Sequence, residues 1–155
     1  MAQYSNPPKP TTRADVIAYA RDWLGTPYMH QAARKGVGCD CLGLLRGVWE
    51  DIYETEAERP PNYTPVWAEI RPEGDEPMLE AANRHLIPVA LKDAKPGDVI
   101  LIRVRRQSAI KHCGLLSYDN HIIHAYDRHH VLEEPMREAW KPRNLYAFQF
   151  PGVLD

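Results

Sequence analysis

Three side chains of this sequence could carry nucleophilic chemistry together: the thiol of Cys41 and the imidazoles of His112 and His124. Cys41 lies in Asp40-Cys41-Leu42-Gly43-Leu44, where a glycine-containing loop turns into an apolar helix. A thiol attacks only as thiolate, and a helix start favours the anion through its partial positive charge and unpaired N–H groups. His112, in Lys111-His112-Cys113-Gly114, stands at the head of a strand-like run, where it could take the thiol's proton. His124, in His121-Ile122-Ile123-His124-Ala125, could then fix the orientation of that base.

This chemistry constrains the hairpin between the two histidines, which are twelve positions apart. A tight two-residue turn at Asp119-Asn120 would pair Tyr118 with His121 and send the imidazoles to opposite faces. They share a face only if the loop has an odd number of residues or a bulge shifts the register. The sequence therefore predicts a hairpin that is longer than two residues or bulged.

The elements that must hold these residues are readable from periodicity. Residues 1–11 are Pro-rich and form an arm; 12–155 form a single domain. Thr12 is an N-cap with Asp15 three residues on, followed by Val16, Ile17, Ala20, Trp23 and Leu24 at helical spacing, with Gly25 as the stop. After Cys41, the residues Leu44, Leu45, Val48, Trp49, Ile52 and Tyr53 mark a second amphipathic helix, with Asp40 as its cap. A Pro-rich irregular connection follows from Arg59 to Asp75, and a third helix runs from near Glu76-Pro77 to about His85. The period then changes: a turn at Lys95-Pro96-Gly97-Asp98 leads to strands at 99–104, 113–118, 121–126, near 131–132, and 145–150. Helices first and an antiparallel meander after them predict an α+β fold.

A formal net charge of −2 over 155 residues gives no electrostatic reason to expect nucleic-acid or bulk membrane binding. No apolar run approaches the length of a membrane span, and Met1 to Pro8 lack the basic start and apolar core of a secretory signal, so synthesis in the cytoplasm is expected. The three cysteines read as free thiols, Cys39 as incidental in its glycine loop and Cys113 as a core residue. Zinc is the rival use of Cys39, Cys41, Cys113 and the histidines. The spacing offers no C-x-x-C pair, and no metal or cofactor is expected. His30, His85, His121, His129 and His130 read as surface or loop residues, and Arg103, Arg105, Arg106 and Lys111 as a cationic stretch that could favour a carboxylate-rich substrate.

Gly25-Thr26-Pro27-Tyr28, Asp40-Cys41-Leu42-Gly43-Leu44, Pro96-Gly97-Asp98-Val99, His112-Cys113-Gly114-Leu115 and Ile123-His124-Ala125 occur in the order seen in the NlpC/P60 cell-wall peptidases, which the chain resembles over residues 12–150. Tyr28 to Ala32 and Cys41 to Trp49 are similar to the subgroup found with tailed phages and gene transfer agents. The resemblance implies a papain-like α+β fold, with helices on an antiparallel sheet of five or six strands. It implies hydrolysis of peptidoglycan stem peptides, usually between γ-D-glutamyl and diaminopimelate or lysine. Cys41 matches the nucleophile, His112 the base, His124 the third polar residue, Tyr28 a tyrosine near the oxyanion, and Asp40 an acid that binds the stem. It further implies a particle tail as the protein's location, a tail-tip or hub protein as partner, and action in the periplasm of a target cell. An inactive structural module, or an amidase or acyltransferase on the same fold, is the alternative. The chain departs from the family pattern in having Leu42 where serine is usual, and Met29-His30-Gln31-Ala32 where a glycine pair is common. Together these remove a hydroxyl and make one cleft wall bulkier.

Overall fold

Thr12 caps α1 (Arg13–Arg21) through a reciprocal box: its hydroxyl accepts from Asp15 N at 3.2 Å, while Asp15 Oδ2 accepts from Thr12 N at 2.8 Å. The computed structural model describes residues 4–63 and 74–155, so most of the Pro-rich connection read over 59–75 lies outside the described residues. Val16, Ile17 and Ala20 are buried, as their spacing predicts. Leu24 is 42% exposed, because the helix stops at Arg21 and a turn carries the chain to Gly25 (φ +85°), whose N–H donates to Val131 O at 2.9 Å. Docking against residue 131 thus overrides the local helical pattern. Thr11, read as part of the arm, is buried, and its carbonyl accepts from Leu154 N at 2.9 Å.

A two-stranded hairpin, β1 (Ala33–Arg34) and β2 (Gly38–Cys39), leads into α2 (Cys41–Tyr53). Asp40 caps α2 with Oδ1 accepting from Gly43 N at 2.7 Å. Two glycines one turn apart let α2 sit close to its neighbours. A Cβ at Gly43 would lie 1.9 Å from Ala32 O, and one at Gly47 would lie 2.0 Å from Trp23 Cζ2. Helix α3 (Pro77–His85) starts with proline in its first turn, where the missing N–H costs nothing.

The remaining strands are β3 (Ile87–Val89), β4 (Val99–Ile102), β5 (His112–Leu116), β6 (His121–Ala125), β7 (Val131–Pro135) and β8 (Leu145–Gln149). They form one antiparallel sheet in the order β3-β8-β4-β5-β6-β7. The fold is α+β, as predicted. The edge strand β3 and the β1–β2 hairpin carry too few alternating apolar residues to be seen in the sequence. One sheet face, with Val99, Leu101, Cys113, Leu115 and Ile123, packs with α1 and α2 into the main core. The other, with Ile100, Ile102 and Ile122, is covered by Leu91, Met136 and Trp140.

Asp98, only 1% exposed, joins the helices to the sheet. Its Oδ1 accepts from Arg13 Nη1 at 2.6 Å, and its Oδ2 accepts from Lys95 N at 2.8 Å, closing the turn before β4. Strand β4 ends at Ile102 instead of residue 104. Arg103 turns inward to pair with Glu76 Oε1 at 2.6 Å, while Glu76 Oε2 accepts from Ile110 N at 2.8 Å. Arg103 is therefore a structural cation and leaves the stretch read as a substrate-attracting cluster.

Candidate active site

Cys41 is the first residue of α2 and half-buried. The first N–H groups of a helix have no carbonyl within it, so positive partial charge surrounds the sulfur. Cys41 Sγ lies 3.5 Å from Lys111 O, and the thiol of Cys113 reaches Cys41 O at 3.4 Å from beneath. Hydrogen bonding from the Cys113 thiol, opposed by burial and reinforced by a hydrogen bond to His112 and its charge, pulls the Cys41 thiol down to about 5. Cys113 is raised correspondingly, by its bond to Cys41 and by burial.

His112 heads β5, and its Nε2 lies 2.7 Å from His124 Nδ1. With Nε2 so engaged, Nδ1 is the nitrogen left for the thiol. The two rings meet because the β5–β6 hairpin has a three-residue loop, Tyr118–Asn120, with Ser117 N donating to His121 O at 2.8 Å. Asp119 and Asn120 both take φ of +56° to close it. An odd loop pairs Leu116 with Ile122 and leaves positions 112 and 124 on one face, the geometry the sequence reading required. His124 is completely buried. Its Nε2 lies 3.1 Å from Glu134 Oε1, and burial together with the charge of His112 pushes its pKa down to about 4, so it is neutral near pH 7. His112 and His124 thus meet ring to ring, and His112 lines the same cleft as Cys41.

Cys41 and His112 border a cleft of about 710 Å³ lined by Leu42, Leu45 and Trp49 from α2 and by Tyr126, Arg137 and Trp140 from the segments flanking β7, with His124 buried behind His112. Tyr28 and Asp40 line the same cleft. Burial, then the charges of Cys41 and Asp40, raise the Tyr28 hydroxyl, which keeps its proton for donation. Asp40 is buried and multiply bonded: besides capping α2, its Oδ2 accepts from Gln31 N at 2.9 Å and from the Tyr63 hydroxyl. His30, read as a surface residue, lines the cleft with Nε2 2.6 Å from the Tyr63 carbonyl oxygen. The histidine in Met29-His30-Gln31-Ala32 therefore does fill a cleft wall.

Cys39 is a core residue of β2, wholly buried and with its thiol pushed up to about 12 by burial, then by Asp40 and Cys41. Among the described residues no three His, Cys, Asp or Glu side chains converge as a metal-binding group. Sequence reasoning missed Tyr63, Cys113 as a neighbour of Cys41, Glu134, Arg137 and Trp140. Only Glu134 had a signal, its place in the acidic pair that follows Val131-Leu132, close in the chain to a histidine that needs a partner.

The NlpC/P60 family model matches residues 25–149, and the chain belongs to the NlpC/P60 family. No curated protein matches it. Among solved structures, it is similar to the NlpC/P60 domain of the peptidoglycan hydrolase SagA, with 19% identity, TM-score 0.61, and coverage of 90% of this chain and 100% of that one. NlpC2 from Trichomonas vaginalis gives 17% identity and TM-score 0.64, covering 89% of this chain and 45% of that one. The peptidoglycan hydrolase RipB from Mycobacterium tuberculosis gives 17% identity and TM-score 0.55, covering 88% and 63%. At these identities the likeness is one of fold. The chain spans less than two thirds of the NlpC2 and RipB chains.

Proposed function

We propose that this protein is a cysteine peptidase that hydrolyses the stem peptides of peptidoglycan, with Cys41 as nucleophile, His112 as base and His124 as the residue that orients it. The observation that carries this is a thiol at a helix start that shares a cleft with His112, whose ring in turn meets His124 at 2.7 Å. Membership of the NlpC/P60 family supports peptidoglycan as the substrate.

In this mechanism the thiol proton rests on His112 and the thiolate attacks the scissile carbonyl carbon. The Cys41 N–H and the Tyr28 hydroxyl donate to the oxyanion as it forms. His112 passes its proton to the departing amine, leaving an acyl group on Cys41. His112 then deprotonates water, which attacks the acyl carbon and frees the sulfur. The bond proposed is γ-D-glutamyl–diaminopimelate, with the stem's amino group replacing the Tyr63 hydroxyl on Asp40.

Digestion of purified sacculi with wild type and Cys41→Ala, followed by mass spectrometry of the fragments, tests this. Wild type is expected to release stems cut after D-glutamate and the variant none. Release of whole stems would point to an amidase, and identical fragment patterns would remove hydrolysis altogether.

We further propose delivery on a phage-like tail, docked to a tail-tip or hub protein. The likeness of residues 28–32 and 41–49 to the phage-type subgroup supports this. Immunogold labelling is expected to decorate particle tails, and unlabelled tails would exclude that location. Among the described residues no helix is long and apolar enough to cross a membrane.

A further inference from the structure

Two consecutive glutamates of β7 point to opposite faces of the sheet. Glu133 pairs across the strand with Ile123 and turns toward the helices, where it binds Arg21 of α1 at 2.9 Å. Glu134 lies diagonally from His124 on the other face, because His124 pairs with Leu132 and Glu134 with Ile122. A single oxygen, Oε1 of Glu134, faces both His124 Nε2 at 3.1 Å and Arg137 Nε at 2.7 Å. Arg137 is itself fixed: its Nη1 donates to the Tyr126 hydroxyl at 2.9 Å, and its guanidinium lies 4.1 Å from the Tyr126 ring centre and 5.3 Å from that of Trp140.

We propose that Glu134, held by Arg137, is a positioning residue that fixes the tautomer of His124 and through it the orientation of His112. This rests on the reading of Cys41, His112 and His124 as one catalytic unit. A carboxylate can only accept, so the one proton of a neutral His124 must sit on Nε2. Nδ1 is then an acceptor, and the 2.7 Å contact requires His112 Nε2 to donate. His112 Nδ1 is then the nitrogen left to take the thiol's proton. One carboxylate at the end of the line therefore sets the hydrogen-bond direction in both imidazoles. His124 is wholly buried in the intact structure, so Glu134 is the acceptor that its Nε2 meets there. Burial opposes ionisation of Glu134, but its bonds to Arg137 and His124 hold its pKa below the ordinary value, so it is charged at neutral pH.

Without this acceptor His124 is free to carry its proton on Nδ1, placing two N–H groups face to face when His112 is protonated. The thiolate–imidazolium pair then weakens, and the Cys41 thiol rises toward its ordinary value. The test uses Glu134→Ala, the near-isosteric Glu134→Met, which lacks an acceptor, and Glu134→Gln, whose carbonyl oxygen still accepts. The readouts are iodoacetamide alkylation of Cys41 against pH, ¹⁵N chemical shifts of the His124 ring, and kcat/KM on muropeptides. Ala and Met are expected to move the midpoint of the Cys41 alkylation profile up by roughly one pH unit, which at pH 5 lowers the thiolate fraction about fivefold, and to populate the Nδ1–H tautomer of His124. Gln is expected to retain the Nε2–H tautomer and stay near the wild-type rate. If Ala unfolds, Met gives the same decision. A wild-type alkylation profile with an unchanged His124 tautomer in Met overturns the proposal. If wild type fails to cut sacculi while alkylation and tautomer still respond to Glu134, the positioning role stands and the peptidase assignment falls.

Discussion

Replacing His112 by alanine is expected to lower kcat/KM on muropeptides by about 10⁶-fold, the scale on which removal of a triad base acts. Two losses combine. The leaving amine no longer has a proton donor, and Cys41 loses the hydrogen bond and positive charge that hold its proton off. Alkylation of Cys41 separates them, since it requires the thiolate but no leaving-group proton. In His112→Ala the bond from Cys113 remains, so alkylation should fall far less than peptide hydrolysis. Circular dichroism checks that the variant folds, as it should with a half-buried residue at a strand's first position. Peptidase activity within tenfold of wild type would take His112 out of the mechanism.

The second large effect is selectivity among the thiols. At pH 6 iodoacetamide should modify Cys41 and leave Cys39 and Cys113 intact in the folded protein. The Cys41 thiol is drawn down to about 5, whereas burial and neighbouring negative charge push Cys39 up to about 12 and the Cys41 bond together with burial raises Cys113. The sign of the pH dependence follows from the lowered value. The Cys41 rate should be flat from about pH 6 upward, halve near pH 5, and fall about tenfold for each unit below that. An unfolded thiol, at about 8.5, is only about 0.3% ionised at pH 6, so folding raises the thiolate fraction about 300-fold. A less basic thiolate is a poorer nucleophile. A Brønsted slope of about 0.45 removes roughly 40-fold of that gain over the 3.5-unit difference. Folded Cys41 should thus react about tenfold faster than the denatured chain at pH 6, as peptide mapping of labelled cysteines would show. Equal, slow labelling of all three would mean that the helix start and His112 leave the sulfur an ordinary thiol.

The residues differ in how visible they were, and the difference follows sequence separation. Asp40 as cap, Gly43 after it and the apolar spacing from Leu44 to Tyr53 are local, so the sequence alone put Cys41 at a helix start. Thr12 with Asp15 and the Pro-first start of α3 were equally plain, for the same reason. The even separation of His112 and His124 stated a condition but not its answer. Whether they share a face depended on the loop, and only the left-handed backbone at Asp119 and Asn120 settled it.

What the tertiary structure alone decided are contacts across long stretches of chain. Cys113 against Cys41 (72 positions apart), Tyr63 on Asp40 (23 apart), Arg103 with Glu76 and Glu134 behind His124 all depend on strand register and on how α2 lies over the sheet. A one-residue slip in β7 would exchange the faces of Glu133 and Glu134, leaving composition and local propensity unchanged. The sequence by itself thus determined which groups could react and which elements begin with them. The packing of the sheet determined which other groups stand close enough to set their charge and direction, because those distances are properties of the assembled layers and of no single segment.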